Sequence, residues 1–185
     1  MQRDDTWVFG YGSLMWKPGF DYAERRVARL DGFRRCFGLR SEHYRGTPEF
    51  PGLVLGLDWA PGAACHGMAF RIDAEQAEAV RHYLAERELI SRAYFEAVYP
   101  VEILCDGPGQ GTARDALCYI MDRTHPQYAG TLSEHEQVDT ICRAIGPSGP
   151  NVEYLMNTVE RLDAFGLPDD ELRALAEAVR AKLAA

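Results

Sequence analysis

The period of the apolar positions changes about two thirds of the way along the chain. Trp7-Val8-Phe9 is a short apolar run that stops at Gly10-Tyr11-Gly12, the pattern of a buried strand ending in a tight turn. Residues 29–39 alternate loosely, and Leu53, Leu55 and Leu57 share one side of a stretch over 53–59. Further strands are predicted over 66–72, 94–104 and 113–121. Two of the connections, Arg45-Gly46-Thr47-Pro48-Glu49-Phe50-Pro51-Gly52 and Asp106-Gly107-Pro108-Gly109-Gln110-Gly111, are built from residues that set or permit turn geometry. A single helix, over 73–88, interrupts this region. From Thr131 onward the spacing is helical, over 131–145, 151–165 and 169–183. Thr131-Leu132-Ser133-Glu134 has the capping-box spacing, Asn151 is a good N-cap, and Gly166 followed by Pro168 marks a stop and restart. One helix among so many strands suits antiparallel or mixed pairing better than parallel crossovers. The expectation is an α+β fold: a curled mixed or antiparallel sheet, or a small barrel, with one inserted helix and a C-terminal group of helices, in one domain over residues 1–185.

Composition narrows the function. At 185 residues, 46% apolar and 26% charged, the chain resembles an ordinary globular domain. A chain of this length buries roughly 70% of its unfolded surface. The formal charge of −8 disfavours a nucleic-acid or anionic-membrane partner, which generally demands a basic face. No apolar run approaches the ~20 residues needed to span a bilayer. No apolar signal region precedes Trp7, so a cytosolic, soluble protein is expected. The five cysteines, Cys36, Cys65, Cys105, Cys118 and Cys142, stand singly and are expected to be reduced and mostly buried. Neither they nor the five histidines have zinc-ligand spacing, and no metal or cofactor is expected.

Three segments offer chemistry. In Phe9-Gly10-Tyr11-Gly12-Ser13-Leu14 two glycines let the chain turn sharply after a strand, so that successive N–H groups can face one anion or carbonyl oxygen. A purely structural turn fits the same pattern. No Gly-Lys-Ser/Thr follows, which excludes a Walker loop, and Met15 stands where a dinucleotide fingerprint needs its third glycine. On the helix over 73–88, Ala77, Val80, Leu84 and Glu88 fall within about 60° of arc at ~100° per residue. Glu88 is thus expected at the edge of the core, with Glu86 on the opposite side facing water. A carboxyl group at an apolar edge resists ionisation and moves toward the range useful for proton transfer. A frayed, solvated helix end is the alternative, and Glu96 is a rival carboxylate. Gly146-Pro147-Ser148-Gly149-Pro150-Asn151 reads first as a structural turn before a helix. Ser13 lacks the Gly-x-Ser-x-Gly elbow of a serine hydrolase.

Four segments in order resemble the ChaC family of glutathione-specific γ-glutamylcyclotransferases. Residues 7–16, Trp-Val-Phe-Gly-Tyr-Gly-Ser-Leu-Met-Trp, are similar to its opening substrate loop. Residues 45–52 resemble its Arg-Gly-Thr-Pro turn, residues 83–88 the segment ending in the Arg-Glu pair, and residues 145–155 its C-terminal helical motif. Each is moderately specific; all four together are hard to obtain by chance. After Glu88 the run Leu89-Ile90-Ser91-Arg92-Ala93-Tyr94 is closer to the bacterial branch than to the Lys and Gly-Gly-Tyr of eukaryotic members, and Leu53 stands where many members have arginine. The resemblance implies a γ-glutamylcyclotransferase-like fold and cleavage of glutathione to 5-oxoproline and cysteinylglycine, without cofactor or metal. It implies Glu88 as the catalytic acid–base. Gly10, Tyr11, Gly12, Ser13, Leu14 and Met15 become the substrate clamp, and Arg45 and Tyr128 further pocket residues. Arg45 fits equally a substrate carboxylate or a loop-locking salt bridge. A relative acting on other γ-glutamyl compounds shares the loop and the glutamate, and an inactive binding module on the same fold is the reading from another class.

Overall fold

The computed structural model describes residues 5–89, 92–104 and 111–185. Cys105, most of the predicted turn at 106–111, and Ile90-Ser91 lie outside the described residues. The chain divides into two compact units, residues 1–35 with 57–122, and residues 36–56 with 123–185.

The first unit is built on a closed five-stranded barrel, ordered β1-β3-β2-β4-β5. Its strands are β1 (Thr6–Gly10), β2 (Glu24–Ser41), β3 (Gly52–Ile72), β4 (Tyr94–Ile103) and β5 (Thr112–Met121), and β2 and β3 carry residues of both units. The short helix α1 (Ser13–Trp16) follows β1, and α2 (Ala77–Glu88) joins β3 to β4. Pairing is mixed: β1 runs antiparallel to β3, with Thr6 opposite Ile72 and Gly10 opposite Met68, and parallel to β5, with Val8 opposite Leu117. Closure removes the exposed edges that a five-stranded sheet would otherwise offer to other chains. Phe9, Phe33, Phe70, Met15, Leu30, Ile72 and Tyr119 are among the largest fully buried side chains of this unit.

The strands predicted over 53–59 and 66–72 are one continuous 21-residue strand. Residues 60–65 stay within the strand, with Gly62 at a positive φ of 87°; Pro61 and Gly62 are exposed at its middle, so they interrupt the apolar pattern without ending the strand. The predicted helix over 73–88 begins four residues later, at Ala77, because residues 74–76 form a turn closed by the Gln76 N–H on the Asp73 carbonyl.

The second unit holds α3 (Glu134–Arg143), a two-residue ribbon of β6 (Ile145–Gly146) and β7 (Gly149–Pro150), α4 (Asn151–Ala164) and α5 (Asp170–Leu183). Ile141, Leu155, Leu162, Leu172 and Val179 turn inward from the three helices. The capping box exists, two residues later than its spacing suggested: Ser133 is the N-cap, its hydroxyl accepting from the Glu136 N–H while the Glu136 carboxylate accepts from the Ser133 N–H. Thr131 and Leu132 belong to a turn instead, the Leu132 N–H bonding the Ala129 carbonyl. Helix α4 ends at Gly166, in the left-handed region (φ 69°), with the Leu167 N–H on the Leu162 carbonyl and the Gly166 N–H on the Asp163 carbonyl. That pair of bonds is a Schellman cap.

Asn151 does not cap α4. Pro150 is the N-cap, and the buried Asn151 amide reaches back to β3, accepting from the Leu53 N–H (2.6 Å) and donating to the Leu53 carbonyl (2.7 Å). The Asn151 N–H, one of the donors that the first helical turn leaves without an intrahelical partner, bonds the Ala144 carbonyl instead. The residues at 45–52 and 145–155, distant in sequence, meet in this unit. A Cβ on Gly146 would lie 2.4 Å from the Gly46 nitrogen, and one on Gly46 would lie 2.1 Å from the Gly52 nitrogen. Only glycine permits backbones to approach so closely.

Candidate functional site

Helix α2 sets the site. Val80 and Leu84 are buried on its inner face, and Glu88 follows on the same face in the last turn, its side chain 18% exposed. Glu86 points the other way, 70% exposed, and its carboxylate faces His82. This division of the two carboxylates is the one that helical spacing predicts. Burial raises the pKa of Glu88 above the ordinary 4.5, against the opposing charge of Arg87. A helix C-terminus carries partial negative charge, which also disfavours an anion there.

Arg87 organises the surroundings of Glu88. Its Nε lies 3.0 Å from Glu88 Oε1. Nη1 donates to the carbonyls of Lys17 (2.7 Å) and Pro18 (2.9 Å) and lies 3.1 Å from the Tyr83 hydroxyl, while Nη2 donates to Ser13 Oγ (3.0 Å). One guanidinium therefore ties the end of α2 to the segment that follows β1. The glycine-rich turn and Glu88, both picked from sequence, are brought together through a residue that sequence reasoning treated only as solvated charge or as half of a motif. The available signal was the i, i+4 spacing of Tyr83 and Arg87 on one face of α2.

The turn itself is fixed from below. Gly12 stands before α1 in an irregular conformation, and the Met15 N–H closes onto the Gly12 carbonyl at 2.9 Å. Leu14, Met15 and Tyr11 are buried. Gly10 lies within β1, and a Cβ there would press on Leu14 and Phe70. Buried Arg35, also missed in the sequence, donates from Nε to the Tyr11 carbonyl (2.5 Å) and from Nη2 to the His66 carbonyl. A charge this deep needs several acceptors, and the Tyr11 and His66 carbonyls are two of them.

The rival carboxylate, Glu96 on β4, is committed to other partners. Its Oε2 accepts from the Tyr119 hydroxyl (3.0 Å), and its Oε1 receives Arg81 Nε (3.0 Å) and Nη2 (2.5 Å). Burial first, then the charge of Glu96, pushes the Tyr119 phenol up, and Glu88 adds to the same shift, so the phenol lies within electrostatic range of Glu88.

Arg45 and Tyr128 lie in the second unit. Arg45 is half-buried, donates from Nη1 to the Ser148 carbonyl (2.6 Å), and stacks over the Tyr154 ring at 5.1 Å. Arg45 does tie loops together, but through the carbonyls of Ser148 and Pro150 rather than through the expected salt bridge. Tyr128 is half-buried, forms an isolated bridge with Leu39, and packs its ring against Gly130.

A surface hollow of about 400 Å³, lined among others by Thr6, Trp7, Arg81, Val98 and Leu117, includes none of the predicted site residues. Among the described residues no group of three or more histidine, cysteine or carboxylate side chains could hold a metal ion. No helix among them is long and apolar enough to cross a membrane.

Residues 6–182 match the model of a family described as ChaC-like protein. The chain is 34% identical to the glutathione-specific γ-glutamylcyclotransferase of Escherichia coli (strain K12), over 97% of this chain and 74% of that one. It is also 34% identical to γ-glutamylcyclotransferase 2-3 of Arabidopsis thaliana, over 94% and 88% of the two chains. Among solved structures, the glutathione-specific γ-glutamylcyclotransferase of yeast superimposes with a TM-score of 0.83 at 26% identity, covering 97% of each chain.

Proposed function

The chain belongs to the ChaC family, and we propose on that basis that it is a lyase, a γ-glutamylcyclotransferase that cleaves glutathione to 5-oxoproline and cysteinylglycine. The α-amine of the substrate attacks its own γ-carbonyl carbon, a five-membered lactam closes, and the bond to the cysteinyl nitrogen breaks. No water is consumed. Two protons leave the attacking ammonium nitrogen in all, and two reach the departing nitrogen, so the reaction balances with a proton carrier alone. The nucleophile is already part of the substrate, and the enzyme's task is to fold it and manage charge. Placement of well-oriented groups in intramolecular reactions is worth up to ~7–11 kcal/mol.

Glu88 is the proposed carrier, taking a proton from the α-ammonium and returning one to the leaving nitrogen. A positioned acid–base contributes roughly 10²–10⁴-fold. The observation that carries this reading is a part-buried carboxylate of raised proton affinity, linked through Arg87 to Ser13 of the glycine turn. In the proposed clamp of residues 10–15 the Met15 N–H is already occupied within the turn, which leaves donation to the substrate to the residues before it. Met15, buried with Leu14 and Tyr11, then serves by shaping the turn. Arg45 and Tyr128 enter as substrate contacts on the family resemblance alone. One family model runs through both compact units, which supports reading residues 1–185 as a single domain. The free thiols of Cys36, Cys65, Cys118 and Cys142 suit a reducing, cytoplasmic setting.

The test is chromatographic. Purified protein incubated with glutathione should release 5-oxoproline and cysteinylglycine in equal amounts, and γ-glutamyl-amino acids should be turned over far more slowly. Comparable turnover of those compounds would replace the substrate assignment, and no 5-oxoproline from any of them would favour a binding module.

A further inference from the structure

We infer that Arg87 is a positioning residue for the reaction, a forked clamp that holds the Glu88 carboxylate in register with the glycine turn and α1. This rests on the function proposed above. The first ground is the distribution of donors. All three guanidinium nitrogens are engaged, on four different residues besides the nearby Tyr83 hydroxyl, and these partners divide between Glu88 and the segment 13–18. An arginine that merely neutralised Glu88 would not need the carbonyls of Lys17 and Pro18 or the hydroxyl of Ser13. A lysine has the charge but not the planar fork, and cannot span these acceptors together.

The second ground is the shape of the backbone that meets the fork. Gly19 follows the two carbonyls at a positive φ of 79°, and a Cβ there would lie 2.0 Å from the Tyr83 hydroxyl oxygen. Tyr83, one helical turn before Arg87, thus rests directly on the bend that presents Lys17 and Pro18 to the guanidinium. Phe20 packs edge-on against the Tyr83 ring at 6.4 Å and against Phe70 of the barrel wall at 5.7 Å. The acceptors are held by the core rather than by a free loop, as a clamp requires. With Nε on Oε1 and no hydrogen bond to Oε2 among the described residues, the second oxygen is left for the substrate's nitrogen.

The chemistry explains why registration matters. Glu88 must reach two nitrogens of one substrate in turn, while that substrate is gripped by the turn that Arg87 also contacts. A misplacement of about 1 Å in such an arrangement costs on the order of 10²-fold in rate. The experiment compares wild type, Arg87→Lys, Arg87→Met and the control Glu86→Gln in steady-state release of 5-oxoproline from glutathione across pH, with thermal melting of each protein. For Arg87→Lys we expect kcat to fall by about 10²-fold with KM within about threefold and the acid limb of the pH profile near its wild-type place, the signature of lost geometry with charge retained. For Arg87→Met the same loss of kcat should come with an acid limb moved to higher pH. Added guanidinium ion should restore neither variant fully, since a free ion does not tether the two segments. Wild-type kcat in Arg87→Lys, or a loss confined to KM, would overturn the inference. If Arg87→Met does not fold, the conservative variant decides alone. An inactive wild-type protein would instead sink the functional reading, so the two failures are separable.

Discussion

Two carboxylates two residues apart on one helix end in opposite environments, and that contrast is the basis of the residue-scale account. Glu88 is drawn to the core edge by the same spacing that buries Val80 and Leu84, whereas Glu86 is 70% exposed beside His82. Glu86→Gln should leave turnover within about twofold of wild type and melting nearly unchanged, as for most exposed surface substitutions; a kinetic assay and a melting curve check both. Glu88 has a further consequence for stability. Its folded-state pKa is raised, so between its ordinary value of 4.5 and the folded value the native protein retains a proton that the unfolded chain releases. Stability from this group is present at low pH and lost as pH rises through that window. Glu88→Gln, which never ionises, should therefore melt higher than wild type at neutral pH, with the difference closing toward pH 4. Denaturation at a series of pH values measures it, and a variant that is less stable at neutral pH would contradict the assignment of burial as the dominant influence.

At the scale of elements, the features that periodicity could reach and those it could not separate cleanly. Strand β1 is legible as a continuous apolar run buried on both faces, and helix α2 and the three C-terminal helices because each buries one periodic face. The single long β3 was not, since exposed Pro61 and Gly62 interrupt its pattern while the strand continues through them, Gly62 at a positive φ. The capping box was displaced because two residue pairs, Thr131/Glu134 and Ser133/Glu136, satisfy the same spacing, and only the turn at Ala129–Leu132 selects between them. Asn151 shows the limit most plainly. Propensity favours it as a cap, but its amide pairs with both polar groups of Leu53, a partner 98 residues away that no local rule can name. Asn151→Ala leaves a buried N–H and carbonyl unpaired and should destabilise the protein by about 1–3 kcal/mol for each group so exposed. Chemical denaturation tests it, and an unchanged midpoint would remove Asn151 from the set of structural anchors. The site follows the same rule: Glu88 and the glycine turn were visible as local patterns, whereas Arg35 and the bridging role of Arg87 depend on main-chain carbonyls supplied by other elements.

For the whole molecule, a closed mixed barrel carries a half-buried acid at the end of its crossover helix, and the chain's family is defined by its match over residues 6–182. The barrel wall and the Arg87 contacts give a rigid setting for a reaction that needs no added nucleophile, only a substrate held folded beside a proton carrier. The measurement that bears most directly on this is the rate of 5-oxoproline formation from saturating glutathione by wild-type protein and by Glu88→Gln, made on samples shown by melting to be folded. Steady turnover is expected of the wild type, with a loss of about 10²–10⁴-fold in the variant. Equal rates in the two proteins would rule out Glu88 as the proton carrier.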